Sequence, residues 1–412
     1  MKNNRTTVLD GGLLIAGVNI GQAKEGPYTL GDFGVSGPDF IKNTEVFLNG
    51  RLRLEGADMD AKNGGASVLS LRNRFGLKTA KVAGFSVLAE GEHTWILTPT
   101  SAYSPFPSGT RSVIADPDNF DLNRLQLDYS LESTDFTLGR QDINHGDQRF
   151  IGAVAWRQNN QTFDAFSVTN TTVKDLNFTY SYANQVNRIF GTNAPSGALS
   201  RWHGDVHLMR GDYSGLSAGT LSGFAYLMDF KNAVAASTNT YGAEFKGSQQ
   251  LCESLPDLDY LITGALQNGA GDNASYEEYY FRGDLSMNAK PVKGGFGLEW
   301  MTGNGDNAFI FPLGTNHKFG GFADAFLTTP GSGLHDYYAW VGGKCPLEVN
   351  HKIIFHHFSS DKGGDFLGYE FDYVAKKVLT ENTSALIKLA HLEGSRAIKD
   401  VQRASIQLDY SF

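Results

Sequence analysis

Only 2 of the 412 residues are cysteine, which excludes a small disulfide scaffold. No run of about 18 apolar residues occurs, so membrane-spanning helices are excluded as well. A basic surplus is also missing. The chain has 35 Lys and Arg against 44 Asp and Glu, a net charge of -9, and general nucleic-acid binding needs the opposite balance. At 19% charged and 12% aromatic residues, the composition does not fit a disordered chain. There is no phosphate loop, and the one Gly-x-Ser-x-Gly match, Gly215 to Gly219, is followed by no helical pattern. His145 and Asp147 share a loop, His203 and His207 share a strand face, and His356-His357 point to opposite faces. None of these gives the three or four converging ligands a metal requires, so neither metal nor cofactor is expected.

Alternation is abundant. Leu176, Phe178, Tyr180 and Tyr182 alternate with Asn177, Thr179 and Ser181. Leu367, Tyr369, Phe371 and Tyr373 alternate with Gly368, Glu370 and Asp372, and Leu52 and Leu54 oppose Arg51 and Arg53. A period of two is the mark of a strand. About 18 such segments run from residue 43 to residue 412, with expected spans such as 43–55, 201–211 and 365–376. Helical periodicity is nearly absent.

Three features favour an all-β transmembrane antiparallel barrel of about 18 strands over a large soluble β-protein. Strands of about ten residues or more suit a tilted bilayer crossing. Connections alternate, with long ones at 97–119, 143–159, 185–200 and 303–333 and short ones at 79–81, 131–133, 171–173 and 212–215. One face of each strand is charged while the other is aromatic and aliphatic, as expected for water inside and lipid outside. Tyr276, Tyr279, Tyr337, Tyr338 and Tyr410 near strand ends suit interfacial girdles. The expected organisation is an N-terminal segment, 1–42, followed by a barrel, 43–412. Met1 to Ala23 reads either as a secretory leader or as a ragged start. The last strand finishes on Phe412 and looks like an outer-membrane targeting signal read by the barrel assembly machinery. Cys252 and Cys345 fall in turns four strand spacings apart, roughly 20 Å, beyond disulfide reach unless one turn folds over.

Of the 16 Arg residues, 13 lie within residues 1–210. Arg51, Arg53, Arg72, Arg74 and Arg124 have inward parity on neighbouring strands and are expected to form one basic wall. Arg140 shares parity with Phe136 and Leu138, which places it above the lipid band. Glu90, Glu92, Asp128, Glu278, Asp284, Glu299, Glu370, Asp372 and Asp409 are the inward acids. Two readings stay open. The arginines form a track for acidic solutes, since guanidinium grips carboxylate with two donors, or they form Arg–acid ladders that merely line water.

The stretch LGRQDINHGDQRFIGAVAWRQNNQTFDAFSV, Leu138 to Val168, together with Asn187-Arg-Ile-Phe-Gly191, resembles the alginate-export family of outer-membrane porins. Arg51-Leu-Arg53-Leu-Glu55 and Leu71-Arg72-Asn-Arg74-Phe75-Gly76 fit it too. The resemblance implies an 18-stranded monomeric barrel and passive movement of an anionic polysaccharide or related small solute. It implies Arg74, Arg140, Arg149 and Arg157 as track residues, with Asp147 and Asp164 as the acids that hold them. The chain's acidity, and the scarcity of Arg in its second half, argue against alginate itself. The expected function is therefore a porin for small hydrophilic, anionic solutes, with the lipid bilayer and the solute as partners. A barrel enzyme of the lipase or protease type, and a structural barrel or adhesin plugged by residues 303–333, are the alternatives.

Overall fold

A computed structural model describes residues 27–250, 252 and 256–412. The leader expected at Met1 to Ala23 lies outside the described residues. Eighteen strands follow in order: β1 (Glu45–Met59), β2 (Ala66–Lys78), β3 (Phe85–Ile96), β4 (Asn119–Leu131), β5 (Thr134–Gln141) and β6 (Thr162–Asn170). Next come β7 (Leu176–Asn187), β8 (Arg201–Leu216), β9 (Gly219–Phe230), β10 (Thr238–Gln249), β11 (Leu258–Gly269) and β12 (Glu277–Ala289). The ring is completed by β13 (Val292–Met301), β14 (Leu334–Lys344), β15 (Asn350–Ser359), β16 (Phe366–Thr380), β17 (Thr383–Gly394) and β18 (Val401–Ser411).

Each strand pairs antiparallel with its sequence neighbour, and β1 pairs with both β2 and β18. The sheet is therefore closed and has no edge, which is what lets a sheet sit in lipid without unpaired backbone groups. The expected spans agree to within a few residues. The largest differences are extensions: β1 runs to Met59 rather than 55, β8 to Leu216 rather than 211, and β16 to Thr380 rather than 376. Side-chain alternation fades there, but the backbone ladder continues, as in Gly56↔Ala404 and Leu216↔Gly219.

Alternation sorts the residues as expected over most of the ring. Leu52, Leu54, Phe75, Leu125, Phe296, Phe371 and Ile406 point outward and are exposed. Arg51, Arg53, Glu55, Arg72, Glu92 and Asp409 point inward and are buried. A continuous exposed apolar belt of this kind belongs against hydrocarbon.

Two departures matter. Leu367 faces inward and is buried, because a bulge leaves it between the pairs Phe358↔Gly368 and Ser359↔Phe366 and flips its direction. Along β6 to β9 much of the inward row is apolar: Phe163, Val206, Leu208, Phe224 and Met228 are buried there with Ile143, Ile151 and Leu313 from two connections. Those connections fold into the barrel and cover that wall.

The connections from even to odd strands are short, at 132–133, 217–218, 290–291 and 381–382. The long ones, 97–118, 142–161, 188–200 and 302–333, all leave the opposite end. Residues 27–42 form a short arm at the short-turn end, where Thr29 bridges Glu45 and the Tyr28 ring meets Phe412 edge-on at 5.6 Å. Cys345 follows β14 at that end and carries no disulfide.

Candidate permeation pathway

Three long connections meet inside the barrel. The 142–161 loop and the 302–333 loop run together through the parallel bridge Ile151↔Leu313 and the Gly152 N–H donated to the Leu313 carbonyl at 2.9 Å. The 97–118 loop adds Asp116, which is fully buried. A loop buried this deeply must satisfy its backbone, and the wall arginines do so. Arg51 donates to the carbonyls of Ala155 and Trp156 at 3.0 and 3.2 Å. Arg53 donates to the Trp156 carbonyl at 2.5 Å and lies 4.0 Å over the Trp156 ring.

The same arginines carry acids. Arg51 meets Asp409 at 2.8 Å, Arg53 meets Asp116 at 3.3 Å, and Arg124 meets Glu90 at 2.8 Å. Arg74 pairs with Glu92 and donates to Asn160 at 2.9 Å. A bulge at Glu90/Gly91 turns both Asn123 and Arg124 onto Glu90. Arg72 donates to Asn49, meets no carboxylate at ion-pair distance among the described residues, and is 1% exposed.

The loop residues expected from the resemblance divide. Arg157 is the hinge of the interior, meeting Asp324 at 2.8 Å, Glu55 at 3.1 Å and Asp116 at 3.7 Å. Burial alone would weaken its charge, but those three carboxylates raise its pKa above the usual range. Arg149 pairs with Glu299 at 2.8 Å and sits 3.6 Å over the Phe311 ring. Asp147 accepts from Arg282 at 2.5 Å and from the Arg149 N–H at 3.1 Å. Burial pushes its carboxyl up, but Arg282 outweighs that and holds it below the usual range. Arg140 and Asp164 are joined at 2.7 and 3.0 Å but do not share this interior. Arg140 stands opposite Leu125 of β4, an outward residue, because it keeps the parity of exposed Leu138. Arg140 and Asp164 thus keep the outer parity at the long-loop end, where Arg140 lines a small pocket with Asn123, Asn159 and Asn160.

A tight cluster in the interior is built by residues the arginine pattern did not point to. Trp156 and His317 stack at 4.6 Å with planes 6° apart. Lys388, on β17, places its Nζ 3.9 Å from the Trp156 ring, 3.7 Å from the Phe322 ring and 2.9 Å from His317 Nε2. His317 Nδ1 meets Asp324 at 2.6 Å. Burial drives the His317 pKa down to about 3, and the Lys388 charge adds to that against the pull of Asp324. The imidazole is therefore neutral at ordinary pH, with Nδ1–H donated to Asp324 and Nε2 accepting from Lys388. Lys388 was legible as the one charged inward residue between Leu386 and Ala390. No sequence signal marked His317 or Asp324.

These residues line a throat of about 10 Å³ with Glu55, Arg403 and Ser405. Phe322 also lines a cavity of about 470 Å³ walled by Arg282, Asp284, Lys293, Tyr338, Trp340 and Lys352. Ala390 and Arg403 also line a wider hollow of about 930 Å³ near Asp58, Ser101 and Arg111. The 302–333 loop is seated beside the throat by its backbone. Phe322 N–H donates to Asp372 at 3.1 Å and Ala323 N–H to Glu370 at 2.6 Å.

A closed ring of 18 antiparallel strands with an apolar belt outside and an ion-paired, loop-narrowed interior is a bacterial outer-membrane barrel of the porin fold. The chain is similar to OccAB2 of Acinetobacter baumannii at a TM-score of 0.72 and 14% identity, over 91% of this chain and 99% of that one. It is similar to OpdK of Pseudomonas aeruginosa at a TM-score of 0.71 and 10% identity, over 90% and 99%. OccK3 (OpdO) of Pseudomonas aeruginosa matches at a TM-score of 0.67 and 12% identity, over 91% and 97%. At such identities the likeness establishes the fold. No family model and no curated protein matches the sequence, so the alginate-export resemblance rests on its own residues.

Proposed function

We propose that the protein is a passive outer-membrane channel, acting as a monomer without a cofactor, that carries small hydrophilic anions such as sugar acids. The observation that carries this reading is a set of three hollows that share lining residues, with Phe322 common to the throat and the 470 Å³ cavity and Arg403 common to the throat and the wider hollow. Charged walls in a narrow, low-dielectric passage bias which solutes enter. The similar OpdK was solved with vanillate, a small carboxylate, which supports the same solute size and sign. A throat of about 10 Å³ does not suit a polysaccharide, so alginate is set aside in favour of small acids. The same narrowness favours one second reading, a barrel closed by its own loops. Planar-bilayer recording, followed by vesicle swelling with uronates, neutral sugars and salts, tests both. Discrete conductance with faster entry of uronates than of neutral sugars of equal size is expected. A silent bilayer at all voltages selects the closed barrel.

A further inference from the structure

The arginines that the sequence offers as the selective wall are largely spent. Arg51 and Arg53 hold Asp409, Asp116 and the loop carbonyls, and Arg157 holds Glu55 and Asp324. A guanidinium matched by a carboxylate adds little net field at the pore axis. Arg72 has no carboxylate at ion-pair distance among the described residues, but it is only 1% exposed. The throat itself is lined by three charged side chains, Glu55, Arg403 and Lys388. Arg403 and Glu55 meet at 3.3 Å. Lys388 has no carboxylate at ion-pair distance among the described residues, and its contacts are two ring faces and a neutral imidazole. The acids on the neighbouring strand, Glu370 and Asp372, make their hydrogen bonds to loop amides rather than to Lys388.

We propose that Lys388 is the specificity-determining residue of the channel, supplying at the throat a positive charge that no carboxylate contacts directly and that favours anions. The Trp156 and Phe322 faces and His317 Nε2 hold the ammonium in place without cancelling its charge, as a carboxylate would. His317 acts as a positioning residue, and Asp324 fixes its tautomer. This inference rests on the channel reading above and deepens it.

The test is the reversal potential of single channels in a salt gradient, with wild type, Lys388→Met, Lys388→Arg and His317→Asn. Heat-modifiable mobility on gels confirms that each variant forms a barrel. Wild type is expected to prefer anions. Lys388→Met is expected to lower the anion-over-cation permeability ratio by about threefold or more, and Lys388→Arg to restore it. His317→Asn is expected to give an intermediate ratio with more current noise. Lack of conductance in wild type would overturn the channel reading itself. Conductance in wild type with an unchanged ratio in Lys388→Met would overturn the role of Lys388 alone. A larger conductance step in Lys388→Met at constant ratio would likewise overturn it, by assigning the residue to loop seating. If Lys388→Met forms no barrel, Lys388→Gln replaces it, and the same ratio decides.

Discussion

Trp156 and His317 come from two different loops and stack face to face at 4.6 Å with planes 6° apart. The Arg157–Asp324 pair at 2.8 Å joins the same two loops beside the stack. One contact is apolar and the other ionic, yet both hold the loops in one arrangement. The interior is a single interlocked unit.

Arg157→Met should loosen that unit more than any other single change. It leaves Glu55, Asp116 and Asp324 buried without their shared cation. Removing one partner of a buried pair costs about 3–5 kcal/mol. The barrel should still form, because the strand ladder is untouched. Hydrogen exchange in residues 302–333 should rise, and the conductance step should grow and become noisy. Exchange equal to wild type would contradict this.

Acidification should unseat the loops. Burial holds the neutral His317 ring at a pKa of about 3, against an ordinary value of 6.5, and holds His145 at about 4. Asp324 is also held below its ordinary value, chiefly by His317 and Arg403 against the opposing effect of burial. When all three folded values are depressed, the released state binds protons first. Loop seating is therefore fully present above about pH 6.5; the two histidines erode it as pH falls toward about 3 to 4, at up to about 1.4 kcal/mol per unit each, and Asp324 adds to the loss only below its ordinary value of 3.8. Exchange of the loop amides measured across that range should rise on the acid side. His317→Asn should flatten the upper part of the profile. A wild-type profile that is level between pH 7 and 4 would refute the account.

Gly321→Ala should lift the loop tip from the wall. Gly321 has a φ of +82°, and a Cβ there would come 2.3 Å from Glu370 Cδ. The left-handed backbone adds about 1–2 kcal/mol. Gly264→Ala is the control, since a Cβ at that site meets nothing within 4 Å. Loop exchange and open-state noise should increase for the first variant and not for the second.

Phe412→Ala should lower the yield of assembled barrel in the outer membrane. The Phe412 backbone pairs with Leu48 in both directions, at 2.9 and 3.0 Å, and its ring packs on Tyr28 where β18 closes on β1. The assembled fraction, read by heat-modifiable mobility, should fall several-fold relative to total protein. Equal fractions would detach the ring from closure.

Much of the barrel was legible because its signal is local. Arg51, Leu52, Arg53 and Leu54 declare a strand and its two faces within four residues, and the alternating loop lengths declare the ends. The tool of parity also set Arg140 apart from the other arginines. Parity failed at Leu367, where a bulge inserts one residue, and along β6 to β9, where apolar residues face inward because loops cover them.

The sequence by itself determined strand count, antiparallel order, the lipid belt and the inward placement of Arg51, Arg53, Arg72 and Arg74, since each follows from a period of two and from turn lengths. Tertiary structure alone decided what those arginines face. Arg149 finds Glu299 at 150 residues' separation and Arg157 finds Asp324 at 167. Such partners are set by where irregular loops settle inside the closed ring, where burial and charge pairing compete over the whole volume, and no short-range pattern encodes that outcome.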